Sequence, residues 1–293
     1  VDPYMLAAIW GVETDYGAIM NNDRYFKPVL RSLFSLVHQR RGRVKLDEAE
    51  LIAALKIYAR GEAPASGLKG SWAGALGHLQ IMPSAFLTHG TDFDGDGKRD
   101  PHGSLGDALA SSAKWLLGVG YQPGQDWGYE VDLPKGFDYM LAGRTQLRPI
   151  SFFAERGVTR VKRRKFGDLD EQVFLYVPAG AGGPKFLMTQ NYLALKGYNF
   201  ADSYALAVAH LTDRLKGAGP FVNSWPRQAK FLNRQQRIEL QKRLMKLGFY
   251  ADKLDGRFGP ISQDALRQWQ KRHGHLADGF ATIGVYNSVM NSN

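Results

Sequence analysis

The chain has 293 residues, of which 44% are hydrophobic and 23% charged, and it contains no cysteine. This composition supports a buried core in one large domain or two ordinary ones, and it argues against intrinsic disorder. The lack of cysteine excludes thiol catalysis, thiolate zinc sites and a lipid-anchored cysteine within this stretch. The net charge of +10 favours polyanionic partners, but the cations are scattered except at residues 160–164, so we expect no nucleic acid partner.

The predicted elements begin with a run of helices. Asp2 and Pro3 form a helix start, because an acidic N-cap followed by proline is typical of a first turn. Helical periodicity then predicts amphipathic helices over residues 44–60 and 105–117. The chain opens inside a helical pattern without a basic region or a cleavage site, so we expect missing upstream sequence, including an export signal.

Residues 118–187 have a different character, with the short strand patterns "WGYEVDLP" and "EQVFLYVPAG" in turn-rich sequence. They predict a small β-containing insertion within a domain that covers residues 1–216. Helices resume over residues 188–216, and the Gly-, Pro- and Ser-containing stretch 217–229 predicts a linker. Residues 230–293 then predict a separate small helical domain.

Glu13 is an acid in the apolar helical stretch "AIWGVETDYG". Helical spacing puts Leu6, Trp10 and Glu13 on one face. Apolar surroundings raise the pKa of a carboxyl group, and a general acid near neutral pH needs such a pKa. An ordinary surface glutamate is the alternative. Glycosidic cleavage usually uses two carboxylates, and no second acid stands out. A catalytic Glu13 would therefore act as both acid and base, with a nucleophile supplied by the substrate.

The stretch "DFDGDGKRD" has the spacing of the opening of an EF-hand calcium loop. Asp92, Asp94 and Asp96 alternate before a glycine and would repel one another without a cation. The usual glutamate at position twelve is absent, since Gly103 stands there, and Asp107 could close a longer loop. The pattern favours a structural cation, and a solvated acidic turn is the alternative.

Aromatic faces and amides suit a groove that binds sugars, although each such residue is more often part of a core. The candidates are Trp72, Gln80, Trp115, Tyr121, Tyr198, Asn199 and Tyr204. The histidines lack metal-binding spacing, and Ser71 and Ser84 lack the context of a nucleophile elbow. Serine and zinc hydrolases are therefore disfavoured.

Five segments together resemble the B family of lytic murein transglycosylases, the group of membrane-bound lytic transglycosylase B. They are "IWGVETDYG" (9–17), "LKGSWAGALGHLQIMPSAF" (68–86), "TDFDGDGKRD" (91–100), "GDALASSAKWL" (106–116) and "YNFADSYALAV" (198–208), in the family's order. Residues 239–289, including the turn "LDGRFGP", resemble a small peptidoglycan-binding domain of three helices.

This resemblance implies a mainly α fold, with a lysozyme-like catalytic domain, a small β-containing insertion and the small three-helix domain. It makes Glu13 the catalytic acid and base. The residues implied to contact substrate are Ser71, Gln80, Trp115, Tyr198, Asn199 and Tyr204. The residues implied at a structural Ca²⁺ or Na⁺ site are Asp92, Asp94, Asp96, Lys98 and Asp107. No catalytic cofactor is implied.

The activity implied by the resemblance is that of a carbon–oxygen lyase on polysaccharide, which cleaves peptidoglycan without water and leaves 1,6-anhydromuramyl products. The implied partners are glycan strands and stem peptides, with cell-wall synthesis complexes as a further option. The implied location is the periplasm of a Gram-negative bacterium, where the protein would be a monomer. A muramidase resembling goose-type lysozyme and a non-catalytic wall-binding protein are the alternatives.

Overall fold

The computed structural model describes residues 1–40, 43–63 and 68–292. Within these ranges the chain has eleven α-helices and seven short strands, so the mainly α fold class with a small β region is confirmed. In the same ranges, no helix is both long enough and apolar enough to cross a membrane. The chain divides into two compact units, one made of Val1–Gln125 and Asn191–Gly219 and the other of Asp126–Gln190 and Pro220–Asn293.

The helices and strands are numbered in chain order. The helices are α1 (Pro3–Thr14), α2 (Val29–Gln39), α3 (Val44–Ala59), α4 (Pro83–His89), α5 (Leu105–Gly118), α6 (Ile150–Ala154), α7 (Gln190–Tyr198), α8 (Asp202–Leu215), α9 (Arg234–Lys246), α10 (Pro260–Arg272) and α11 (Ile283–Asn291). The strands are β1 (Lys27–Pro28), β2 (Lys69–Gly70), β3 (Gly128–Asp132), β4 (Arg148–Pro149), β5 (Thr159–Arg160), β6 (Gln172–Tyr176) and β7 (Lys185–Met188). The helices predicted near 44–60 and 105–117 correspond to α3 and α5.

Helix α1 begins as predicted, because the Asp2 carboxylate accepts the N–H of Tyr4 at 2.9 Å and Pro3 occupies the first turn. The helix ends after Thr14, and the backbone then turns with a φ of 54° at Tyr16. Gly11 permits this turn, since a Cβ there would lie 2.6 Å from the Tyr16 ring. Glu13 is thereby held on the last turn of α1, which packs against α8.

Helix α3 packs against both α2 and α4, and the three helices contribute to the main apolar core of the first unit. Burial of these side chains supplies the hydrophobic driving force for this part of the fold. The buried members are Val29, Leu33, Leu51, Ala54, Ile57, Ala63, Leu68, Leu76, Ile81 and Phe86. Strands β1 and β2 pair antiparallel, with Lys27 opposite Gly70.

The second unit contains an antiparallel sheet in the order β4–β6–β7–β3–β5. Tyr129 and Val131 alternate with less buried neighbours along β3, as the period of two in a strand requires. The two predicted strand patterns correspond to β3 and β6, so the predicted β-containing segment is confirmed.

Helices α9, α10 and α11 enclose the apolar core of the C-terminal segment. Its buried members include Leu240, Leu244, Ala265, Leu266 and Trp269, with Leu247 and Phe258 packed beside them. Gln241 is also buried, and its side chain holds the "LDGRFGP" turn. Its Nε2 donates to the carbonyl of Arg257 at 3.0 Å, and its Oε1 accepts the N–H of Gly256 at 2.9 Å.

The predicted linker contains no helix or strand, but its residues in the second unit bond through their backbone to the sheet of that unit. The Glu130 carboxylate on β3 accepts the N–H groups of Val222 at 2.8 Å and Asn223 at 2.7 Å. Farther along, the Asp278 carboxylate accepts the N–H of Ala181 at 3.0 Å. These contacts join the sheet segment to the C-terminal segment, and the domain boundaries at 216 and 230 stay a prediction.

Candidate active site

Glu13 and Tyr204 form the centre of the candidate site, although 191 residues separate them in the chain. Tyr204 lies on the first turn of α8, and its hydroxyl donates to Glu13 Oε1 at 2.6 Å. Burial raises the pKa of Glu13 to about 7, and the Tyr204 hydrogen bond opposes that rise. The expectation of a raised pKa is confirmed. Near neutral pH the group can therefore give a proton and take one back.

Tyr198 lies in a second set of contacts that involves α5 and α7. Its hydroxyl donates to the carbonyl of Leu79 at 2.5 Å and lies 3.1 Å from Ser112 Oγ. The rings of Tyr198 and Trp115 are 4.4 Å apart between centroids. Burial raises the pKa of both Tyr198 and Tyr204, and the charge of Glu13 is the second largest cause of this rise. Both phenols therefore stay protonated and act as donors.

The loop that carries Gln80 has a constrained backbone. Gln80 has a φ of 50°, and its Nε2 donates to the carbonyl of Gly77 at 2.8 Å. Gly77 has a φ of 60°, and a Cβ there would lie 1.8 Å from the carbonyl oxygen of Pro101. No other residue type fits that close approach. Backbone strain of this kind often accompanies functional sites, and here the loop presents the Leu79 carbonyl to Tyr198.

Two other predicted substrate-contacting residues stabilise local turns. Ser71 Oγ accepts the N–H of Ala75 at 3.2 Å, and Asn199 Oδ1 accepts the N–H of Ala201 at 3.1 Å. Tyr121 is buried, so this candidate belongs to the core. The substrate contacts of Ser71, Gln80, Trp115, Tyr198, Asn199 and Tyr204 stay predictions.

Sequence reasoning missed Thr14 and His78, which hold the end of α1 in place. Thr14 Oγ1 donates to the His78 carbonyl at 2.8 Å, and Trp10 Nε1 donates to His78 Nδ1 at 3.2 Å. Burial lowers the pKa of His78, which favours the neutral ring that can accept this bond. Ser112 was also missed, although its position one turn before Trp115 on α5 was an available signal.

The acidic loop brings together three of the five residues predicted to bind a cation. Carboxylate oxygens of Asp92, Asp94 and Asp107 all lie within 4.8 Å of one another, and Asp107 is buried. Asp107 was the uncertain member in the sequence, and it joins the group. Among the described residues this group does not include Asp96, whose Oδ1 accepts the N–H of Lys98 at 2.8 Å.

Backbone N–H groups also converge on this loop. Asp92 accepts those of Gly95 at 2.7 Å and Gly97 at 2.9 Å. Asp107 accepts those of Phe93 and Asp100, each at 2.8 Å. These bonds orient the carboxylate oxygens before any ion binds.

Comparisons with known proteins identify the family. The family model of the transglycosylase SLT domain matches residues 1–213, which is most of the chain. The chain belongs to the transglycosylase SLT domain family. The model of a peptidoglycan binding domain matches residues 233–287 of this family member.

Several relatives of this transglycosylase-family chain are known. Membrane-bound lytic murein transglycosylase B from Escherichia coli (strain K12) is 29% identical over 216 residues, which cover 72% of this chain and 56% of that protein. The chain thus spans little more than half the length of that relative.

Crystal structures of SltB3 from Pseudomonas aeruginosa have been solved in complex with NAG-anhNAM-pentapeptide and with NAG-NAM-pentapeptide. The first is 43% identical with a TM-score of 0.92, and the match covers 99% of this chain and 77% of that chain. The second has the same identity and a TM-score of 0.91. The Escherichia coli lytic transglycosylase SLT35 in complex with calcium is 27% identical with a TM-score of 0.60, over 74% of this chain and 66% of that chain.

Proposed function

We propose that this protein is a lytic transglycosylase that cleaves the β-1,4 bond between N-acetylmuramic acid and N-acetylglucosamine in peptidoglycan without using water. The observation that carries the proposal is the Glu13 carboxyl, whose pKa is raised to about 7 beside the Tyr204 hydroxyl. Among the described residues, burial and Tyr204 are the causes of this pKa, with no second carboxyl involved. One group with a pKa near neutrality suits a reaction that needs an acid and then a base.

In the first step the protonated Glu13 gives its proton to the glycosidic oxygen, and the bond from that oxygen to the muramyl anomeric carbon breaks. The N-acetyl carbonyl of the same sugar stabilises the positive charge that develops at this carbon, as in substrate-assisted glycosidases. The Tyr204 hydroxyl bonds to the Glu13 carboxylate left behind. This charge-assisted hydrogen bond strengthens as the negative charge forms.

In the second step the Glu13 carboxylate takes the proton of the muramyl 6-hydroxyl. Oxygen 6 attacks the anomeric carbon, and the 1,6-anhydro ring closes. Glu13 gains in this step the proton that it gave in the first step, so it is again protonated at the end of the reaction. Because the nucleophile belongs to the substrate, orientation replaces the capture of a water molecule.

Two of the proposed substrate contacts, Tyr198 and Tyr204, lie in the surroundings of Glu13. Tyr204 contacts Glu13 directly, and the charge of Glu13 raises the pKa of Tyr198, so both phenols belong to the same electrostatic environment. Trp115 packs on Tyr198 and supports its ring. We assign the remaining contacts with sugar to Ser71, Gln80 and Asn199.

The acidic loop is proposed to hold a structural Ca²⁺ ion. Three carboxylate oxygens within 4.8 Å of one another can share one ion, since oxygen ligands of Ca²⁺ lie about 2.4 Å from it. Asp92, Asp94 and Asp107 would supply these oxygens, and we assign as further ligands the Asp96 carboxylate and the backbone carbonyl of Lys98, the seventh residue of the loop. The complex of SLT35 with calcium supports this choice of ion. The ion would stabilise the loop and take no part in bond cleavage.

The C-terminal domain is proposed to bind peptidoglycan. We also propose the periplasm of a Gram-negative bacterium as the location, since the relatives named above come from Escherichia coli and Pseudomonas aeruginosa. The match of residues 233–287 to a peptidoglycan binding domain supports this role. The full chain and a chain that ends at residue 229 would be compared for co-sedimentation with purified sacculi. We expect the shorter chain to bind more weakly, and equal binding by two folded chains would exclude the role.

Mass spectrometry of digested sacculi tests the cleavage reaction. Transglycosylation leaves 1,6-anhydro ends, whose mass is one water below that of the reducing ends left by a muramidase. We expect anhydro ends. Reducing ends would show a hydrolase, and the absence of released fragments would indicate a non-catalytic wall-binding protein.

A further inference from the structure

A cleft of about 480 Å³ in the first unit has no role in the reaction described above. Its lining residues are Lys27, Pro28, Arg31, Ser32, Ser35, Leu36, Gln39 and Trp72. Ser32, Leu36 and Gln39 have the spacing i, i+4, i+7 and share one face of α2. None of the described lining residues is acidic. The cleft therefore combines hydroxyls and an amide with two cations and one indole.

The indole of Trp72 is 70% exposed, yet the loop that carries it is fixed. The Ser71 side chain accepts the N–H of Ala75 at 3.2 Å across the loop. The loop also packs tightly on α2, since a Cβ at Gly74 would lie 2.5 Å from the side chain of Leu33. An exposed aromatic face on an ordered loop can stack on the apolar face of a sugar ring.

The two cations of the cleft are not neutralised by acidic side chains in the part of the chain that the structure describes. No ion pair involves Lys27 or Arg31 there, and the Lys27 ammonium donates to the backbone carbonyl of Asp23. Lys27 and Arg31 are four residues apart, and both are exposed. Two like charges beside a cleft attract an anion, and the planar guanidinium matches the geometry of a carboxylate.

We infer that this cleft is a binding subsite for a carboxylate-bearing amino-sugar chain, with Trp72 against a sugar ring and Lys27 and Arg31 on the carboxylate. The inference rests on the proposed function for its choice of polymer. In that polymer a carboxylate can come from the stem peptide or, where the peptide is absent, from the lactyl group of muramic acid. Ser32 and Gln39 offer further polar contacts to the sugar.

The test compares binding of three probes by titration calorimetry, in full chains that all carry Glu13→Gln so that no probe is cleaved. The probes are tetrasaccharides of alternating GlcNAc and MurNAc with stem peptides, the same tetrasaccharides without peptides, and uncharged chitotetraose. We expect Lys27→Gln/Arg31→Gln to weaken binding of a carboxylated probe about 10-fold, since one charge-assisted hydrogen bond has about this effect. Chitotetraose binding should not change.

The carboxylated probe that loses affinity identifies the source of the anion. A loss with the peptide-bearing probe alone assigns the stem peptide, and a loss with the peptide-free probe assigns the lactyl group. Unchanged binding of both carboxylated probes would overturn the inference. So would an equal loss with chitotetraose. Because binding is measured, the result does not depend on whether the reaction products are anhydro sugars.

Lys45→Gln/Lys56→Gln is the matched control. It removes two exposed lysines from α3 and changes the net charge by the same amount. We expect it to bind every probe as the parent chain does. An equal loss of affinity in this control would mean that the overall charge, and not the cleft, attracts the polymer, and the subsite would be rejected.

Trp72 is tested separately, because its contact with sugar does not depend on charge. We expect Trp72→Ala to weaken the binding of all three probes about 5-fold. Trp72→Phe should retain most of the affinity through its aromatic face. Unchanged binding by Trp72→Ala would exclude stacking of a sugar ring on the Trp72 indole. The exposed position of Trp72 makes a folding defect easy to recognise, since the melting temperature should stay the same.

Discussion

The first unit contains two carboxyl environments that give the same chemical group opposite properties. Glu13 is a single acid with a tyrosine hydroxyl as its hydrogen-bond donor, and burial raises its pKa to about 7. Asp92, Asp94 and Asp107 are clustered, and Asp92 and Asp107 accept backbone N–H groups. Burial of a lone carboxyl favours its protonated form, whereas several carboxylate oxygens close together favour a metal cation.

The largest expected effect is a loss of activity, and it should occur on substitution of Glu13 but not on substitution in the acidic loop. Glu13→Gln should lower the rate of fragment release from sacculi by about 1,000-fold or more, because an amide cannot donate the acid proton. As long as Asp92→Asn is folded, its rate of fragment release should stay within about 3-fold of that of the parent chain, since the role of Asp92 is structural. Soluble fragments are quantified by chromatography after timed digestion. Substantial release by Glu13→Gln would remove Glu13 from the reaction.

Tyr204→Phe should lower kcat about 10-fold, the usual effect of losing one hydrogen bond to a charged group. The Tyr204 bond lowers the pKa of Glu13, so its loss should raise that pKa further. Because the acid form of Glu13 starts the reaction, the alkaline limb of the kcat profile should move to higher pH. Tyr4→Phe, an exposed change on α1, is the control. An unshifted limb in Tyr204→Phe would contradict this role.

The pH dependence of stability distinguishes Glu13 from the acidic loop in another way. The pKa of Glu13 is about 7 in the folded protein and 4.5 ordinarily. The stability that the protonated group contributes to the folded state is therefore fully present below pH 4.5 and is lost as the pH rises through about 7. Glu13→Gln cannot ionise and avoids this loss. Its free energy of unfolding relative to the parent should rise by about 3 kcal/mol between pH 4.5 and pH 8. Parallel urea-denaturation curves at the two pH values would refute the burial of an ionisable Glu13.

Calcium should act on the loop alone. At a concentration far above its dissociation constant, Ca²⁺ should raise the melting temperature by about 5 °C, because it binds the folded chain preferentially. Asp107→Asn should abolish this shift, and Asp23→Asn, an exposed acid outside the loop, should preserve it. Scanning calorimetry with calcium and with chelator measures the effect. A shift that persists in Asp107→Asn would mean that the cation binds elsewhere.

Several features were predictable because they depend on residues close in the chain. Proline and an acidic cap begin α1, and helical periodicity predicted α3 and α5. The position of Glu13 on an apolar face predicted its raised pKa, and the spacing of Asp92 and Asp94 predicted a cation loop. Periodicity, capping and loop chemistry are local properties, so a single sequence carries them.

Other features depended on packing between distant segments. The sequence contained both Glu13 and Tyr204, but only the packing of α1 on α8 brings the two side chains to 2.6 Å. Tyr121 and Trp72 were equivalent aromatic candidates, and the fold buries the first and exposes the second. The sequence offered Asp107 as a residue that could close a longer loop, and the tertiary structure brings its carboxylate within 4.8 Å of those of Asp92 and Asp94. Local sequence determines which chemical groups an element carries, whereas burial and long-range contacts determine their pKa, partners and accessibility.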